Sequence, residues 1–366
     1  MKEHIVKLND FYQFKPGAKI VQSEFGFYCL ERWKEEGYIT ENTDLNELFG
    51  YYADASFGFW NLGWCEAAFS PGFDEKELED RGEYKLIRDV AGRSVLYFKG
   101  SRQGYMPQYV DHPVKDAYTW EKDVKWRLDP ESQERFTALQ KIIPIAVSRA
   151  QEGFVICQRI IGGYMYLRSL IGPEDLLYKF SDEPELIHDC MKTWLELADK
   201  MTAETQKSVA LDELFFGEDI CYNCGLLISP DMVKTFLFPY YQQLISNVKK
   251  RQSQKKKLFI QVDTDGNCLE AIGLYRTVGM DHMSPFEVAS GCDVVDIRKK
   301  HPDLLMRGGI DKRILAESKD AIDRELDRIM PFMTERGGYI PTCDHCVPAE
   351  VPFENYTHYR ERMSEY

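Results

Sequence analysis

The stretch Gly337-Gly338-Tyr339-Ile340-Pro341-Thr342-Cys343-Asp344-His345-Cys346-Val347-Pro348 decides how the rest of the chain is read. A helical pattern runs into the two glycines, a short apolar run follows, and four polar or sulfur-bearing residues then arrive together. Val347-Pro348 closes the string, and proline forbids simple continuation of a helix or a central strand. This is a strand ending in a chemically loaded loop, and the load reads equally as a metal ligand set, a general acid or an incidental cluster.

Working back from that loop, strand and helix alternate. Leu304–Arg307 reads as a strand entering a Gly-Gly turn, and Ser318 caps a long helix to Arg336. Leu258–Val262 and Gly279–Met283 read as strands, with helices at Cys268–Val278 and Asp293–Lys300. Further upstream, Leu211–Gly217 and Gly153–Cys157 are strand candidates. Helices open at Pro173 and Pro184, at Ser132, and at Ser229-Pro230-Asp231, the last bending near Pro239. Strands in series with short helical links predict a parallel sheet with crossovers. So many units, with no Gly-x-Gly-x-x-Gly after any strand, predict a mixed α/β fold: a single (β/α)8 TIM barrel covering residues 116–366.

Residues 1–115 read as an aromatic-rich N-terminal extension or cap. A helix is expected over Glu24–Tyr38 and a β-hairpin over Tyr84–Lys99, turning at Val90-Ala91-Gly92-Arg93. Phe57, Phe59, Trp60 and Trp64 serve either to pack this cap or to form a lid.

Composition narrows the function. Of 366 residues, 44% are apolar and the formal charge is −14, so the surface repels phosphate backbones and nucleic acid is an unsuitable partner. No run approaches a membrane span, and Met1–Lys7 lacks a signal-peptide core, which makes the cytoplasm the expected location. Ten cysteines there are expected as thiols. The basic run Lys249–Lys257 reads as a solvated helix end. Asp263-Thr264-Asp265-Gly266-Asn267 misplaces the glycine of a calcium loop, and Cys221-x-x-Cys224 lies too far from Cys343-x-x-Cys346 for a compact zinc ribbon.

In such a barrel the reactive residues follow the strands' C-terminal ends. Glu218 and Asp219, Asp263 and Asp265, Glu287, Asp311 and Lys312, and Cys343 through Cys346 all do so. Five successive strand ends carrying acids or soft ligands predict an acidic pocket with the capacity to hold a metal.

The chain resembles the uroporphyrinogen decarboxylase superfamily, closer to its corrinoid-dependent methyltransferase branch than to the haem-pathway enzyme. The resemblance rests on Gly217-Glu218-Asp219-Ile220, Gly225 to Pro230, Asp265-Gly266-Asn267, Pro285-Phe286-Glu287, Arg307 to Asp311, Gly337 to Ile340, and Asp344 to Pro348 with Val351 to Asn355. It extends from about Trp120 to the end. It implies methyl transfer between a corrinoid, carried by a small partner protein, and a small acceptor or donor (a folate-type pterin or a thiol) at the C-terminal mouth of the barrel. His345, Asp219 and Asp263 are then the expected catalytic residues. Glu218, Tyr222, Asn223, Arg307 and Asp311 are expected to bind substrate.

The branch uses zinc held by a His-x-Cys pair and a late cysteine to activate a thiol. Here Asp263 and Asp265 stand at the first pair and His345 at the last position, so Asp263, Asp265, Glu287 and His345 would hold a harder divalent ion or a loosely held zinc. Alternatively, these groups bind a polar acceptor directly. Decarboxylation of a uroporphyrinogen-like or smaller acid, without cofactor, is the second reading. The arginine-rich string expected for it is missing before Gly58, and an acidic pocket suits a carboxylated substrate poorly. A non-catalytic ligand-binding member is the third.

Overall fold

The computed structural model describes residues 3–51, 55–100, 107–253 and 256–366. Gln254 and Lys255 of the basic run, like the first two residues, lie outside them.

Seven strands form one sheet in chain order: β1 (Ser56–Leu62), β2 (Val155–Ile161), β3 (Glu213–Gly217), β4 (Phe259–Asp263), β5 (His282–Ser284), β6 (Leu305–Arg307) and β7 (Tyr339–Ile340). The pairings β2–β3, β4–β5, β5–β6 and β6–β7 are parallel. The expected α/β fold is therefore present, with seven strands among the described residues and no strand hydrogen bonds joining the two ends of the sheet. The connecting helices follow the sequence signals. Ser318 and Asp293 cap the helices Lys319–Arg336 and Val294–Lys300 through their side chains, and prolines open Pro173–Asp182 and Pro184–Gln206. Around Pro239 there are two helices, Pro230–Phe236 and Phe238–Arg251, in place of one bent helix.

The chain divides into two compact units: residues 1–56, 221–226 and 261–366 in one, and 57–220 with 227–260 in the other. Within the first unit, the early aromatics pack on the last helix: Phe27, Trp33 and Phe49 surround Tyr356 with centroids 5.3, 5.4 and 4.9 Å away. Phe27 also forms a parallel bridge to Val347, and the expected Glu24–Tyr38 helix is confined to Leu30–Glu35.

In the second unit, Tyr84–Arg88 and Ser94–Phe98 pair antiparallel around the Asp89–Arg93 turn, as expected. Lys76–Arg81 and Gln108–Asp111 extend this hairpin to four strands. Lys76–Arg81 (KELEDR) is exposed at every position, so it carries no alternation to read.

Arg298 fixes the start of the decisive stretch. Its side chain is 1% exposed, and its guanidinium donates to the carbonyls of Leu304 (2.7 Å), Gly338 (2.8 Å) and Pro302 (3.1 Å). Burial lowers its pKa to about 10, so it remains charged at neutral pH. Arg298→Met would remove this donor from all three carbonyls, of which Gly338 keeps another, the Met306 N–H. It is expected to lower the unfolding free energy by roughly 3 kcal/mol, measurable by urea denaturation with an unchanged m-value.

Candidate active site

In the first unit, the ends of β4 to β7 carry the predicted residues on loops tied to one another. Gly266 adopts φ +78°, and a Cβ there would lie 2.6 Å from the Tyr222 carbonyl oxygen, so only glycine lets this loop pass. The next residue, Asn267, then donates its backbone N–H to that carbonyl at 2.8 Å. Gly308, with φ +108°, passes the Pro285 carbonyl in the same way, where a Cβ would be 2.0 Å from the oxygen.

Asp344 sits at the centre of the loaded loop, 1% exposed. Its carboxylate accepts the backbone N–H groups of Val288 (2.9 Å) and Lys312 (3.2 Å), with the Lys312 ammonium 3.8 Å away. Burial raises its pKa against the pull of Lys312 and the two amides. The same lysine stands 3.7 Å from Glu287, which also accepts the Gly266 N–H (2.9 Å) and the Ser290 hydroxyl (3.1 Å).

With its neighbour so held, His345 projects with Nε2 3.2 Å from an Asp265 carboxylate oxygen and its ring edge-on to Phe25 at 4.8 Å. Asp263 instead accepts from the Ser284 hydroxyl, which also receives a bond from Gln261 (2.9 Å). Of the four residues expected to share a metal, Asp265 and His345 are thus paired, while Asp263 and Glu287 are engaged elsewhere. Among the described residues, no three His, Cys, Asp or Glu side chains gather as a metal site.

Cys343 and Cys346 do not complete one. Cys343 is fully buried, its thiol pushed well up by desolvation. Burial also raises Cys346, whose sulfur lies where a Cβ on Gly26 would come within 2.8 Å. Both thiols are therefore protonated at neutral pH in the metal-free protein, and a zinc ion would itself have to displace their protons. The residues do not fit a resident zinc as arranged.

The predicted binding residues fare differently. Asp311 is bound by its neighbour: Arg313 donates to it from Nε (2.8 Å), Nη2 (2.7 Å) and its backbone N–H (3.0 Å). Burial raises its pKa, but these bonds win and leave it below the usual carboxylate range. Arg307, at the end of β6, is half-buried, and its side chain has no hydrogen-bond or ion-pair partner among the described residues. Tyr222 and Asn223 occupy an exposed two-strand hairpin, Cys221–Tyr222 with Gly225–Leu226.

Glu218 and Asp219 belong to the second unit. Glu218 is fully buried and accepts the Tyr164 N–H at 2.9 Å and the Tyr241 hydroxyl. Tyr164 lies in the first turn of helix Gly163–Ile171, where backbone N–H groups lack helical partners, so Glu218 serves to anchor that helix. Asp219 takes the left-handed conformation, φ +43°, and pairs with Arg168 at 2.5 Å.

Glu24 escaped the sequence reading. Its carboxylate accepts the N–H groups of Phe25 (2.9 Å) and Cys343 (2.8 Å) and the Tyr356 hydroxyl (3.0 Å), so it braces the loaded loop from the N-terminal segment. No local signal marked it, because Cys343 and Tyr356 lie 319 and 332 residues away.

These features define an α/β protein whose polar residues follow the ends of parallel strands. The family model for uroporphyrinogen decarboxylase (URO-D) matches residues 102–366, and the chain belongs to that family. A methyltransferase from Methanosarcina mazei has a similar fold: TM-score 0.60 at 13% identity, covering 99% of this chain and 98% of that one. A B12-independent methionine synthase from a Shewanella species, in complex with selenomethionine, overlaps 61% of this chain and 64% of its own, with TM-score 0.35 at 14% identity. A search of curated proteins finds no match.

Desolvation raises the Glu24 pKa above the ordinary glutamate value. The folded state therefore holds the proton more tightly than the unfolded chain. Stability from this group is greatest below the unfolded pKa and falls as pH rises through the folded one. Glu24→Gln keeps an acceptor for the two amides and an amide donor for the Tyr356 hydroxyl. Denaturation of both proteins between pH 4 and 8 is expected to show the variant gaining on the wild type as pH rises.

Proposed function

We propose that this URO-D family enzyme is a methyltransferase. It moves a methyl group between a corrinoid, carried on a small partner protein, and a small acceptor or donor bound at the ends of β4 to β7. The observation that carries this reading is the Asp265–His345 pair, set beside Phe25 on a loop whose backbone is held by buried Asp344. A histidine oriented by a carboxylate is suited to take a proton from an acceptor X–H as its lone pair attacks the methyl carbon. The corrinoid would keep the electron pair of the C–Co bond as that bond breaks and the X–C bond forms, and His345 would hold the released proton. In reverse, the same imidazolium returns the proton to the leaving group. Arg307 and the Tyr222–Asn223 hairpin supply contacts to the small molecule.

Decarboxylation of a carboxylic acid is the second reading, and one observation favours it. In the first unit the acids Asp311 and Glu287 lie beside Arg313 and Lys312, so the repulsion expected of acidic strand ends is partly relieved there.

Methylcobalamin with tetrahydrofolate or simple thiols, followed at the cobalamin absorbance, tests the first reading. His345→Ala is expected to slow transfer by roughly a hundredfold or more, and Asp265→Asn by less, since the imidazole remains. Turnover of no acceptor, together with carbon dioxide release from a carboxylic acid that is lost in Asp219→Asn, would replace methyl transfer with decarboxylation.

A further inference from the structure

Arg159 lies in β2 within the run Val155-Ile156-Cys157-Gln158-Arg159-Ile160-Ile161, whose other six residues are all buried. An arginine in such a run needs a reason. It pairs in register with Phe215 of β3, and the two share a face of the sheet. The opposite face of β3 carries Phe216, which packs on Trp194 and Tyr241 of the surrounding helices. Arg159 therefore points away from the helical layer.

There its guanidinium lies between two rings, 4.3 Å from the Trp60 centroid and 4.6 Å from that of Phe215. Trp64 stacks on Phe215 at 5.3 Å and meets Trp60 edge-on at 5.6 Å. Gly58 makes the room: a Cβ there would lie 3.2 Å from the Arg159 Nε and 3.1 Å from the Trp60 Nε1. Yet the Arg159 side chain has no hydrogen bond and no ion pair among the described residues, and its buried Nε lacks an acceptor. In a protein with 60 acidic against 46 basic residues, an arginine left without a carboxylate is conspicuous. Trp60 and Trp64 remain 56% and 37% exposed beside it.

We propose that Arg159, Trp60, Trp64 and Phe215 form a binding site for an organic carboxylate with a planar body. The guanidinium fork, already oriented by its stacking, takes the carboxylate through paired N–H donors. The exposed indoles receive the planar part. This site lies wholly within the second unit and stands independently of the methyl-transfer reading, because equilibrium binding requires no turnover.

The test is titration of the full-length protein with benzoate, methyl benzoate and inorganic phosphate, followed by tryptophan fluorescence and by ligand-observed NMR. Benzoate is expected to bind saturably, with the neutral ester and phosphate each at least roughly tenfold weaker. Arg159→Met is expected to weaken benzoate at least roughly tenfold, and Arg159→Lys to restore part of it. Circular dichroism checks that each variant folds. If Arg159→Met does not fold, the ester comparison and Arg159→Lys decide. Absence of benzoate binding, equal binding of the ester, or benzoate binding unchanged in a folded Arg159→Met overturns the proposal. Phosphate binding as tightly as benzoate overturns the planar carboxylate in favour of a bare oxyanion.

Discussion

A carboxylate with almost no access to water must find its hydrogen bonds inside the protein, and Asp344 finds them on two other loops. Val288 follows β5, Lys312 follows β6, and Asp344 itself follows β7. One side chain thus holds three strand ends in register beyond the point where the strands stop pairing. Main-chain bridges, Ile310 to Cys343 and Phe27 to Val347, continue the same connection. An apolar residue at 344 would leave two part-buried amides without their acceptor and Lys312 facing only Glu287, a cost above that of one lost surface contact. The orientation of His345 rests on this arrangement.

The parts of the fold legible in the sequence were those determined locally. Ser318, Asp293 and Ser229 cap helices because their side chains reach backbone N–H groups two or three residues on, and Pro173 and Pro184 open helices where no donor is needed. The strand Ser56–Leu62 was not legible. Its sequence SFGFWNL shows neither clean alternation nor a uniformly apolar run, and only pairing within the sheet defines it.

The candidate site was legible as a set of residues and not as a set of relationships. Strand-end placement located Asp263, Asp265, Glu287 and His345, but their partners are chosen by three-dimensional packing: serine for Asp263, lysine and an amide for Glu287, histidine for Asp265. Cysteines flanking His345 suggested sulfur ligation, yet among the described residues no third ligand gathers with them. Glu218 was read as a binding residue because it follows a strand, while its side chain turns back into the helix layer. Arg159 did carry a signal, a lone charge inside an apolar strand, that strand-end reasoning passes over.

The hairpin bearing Tyr222 and Asn223 joins the strand-end loops through its backbone. The Tyr222 carbonyl accepts from Asn267 and the Cys221 N–H donates to Thr264, while the Tyr222 ring is 48% exposed and makes no ring contact or hydrogen bond among the described residues. Replacing these two side chains therefore leaves the path of the loops intact. Side chains can change at this tip, one at a time, while the backbone bonds that tie it to the strand-end loops stay in place.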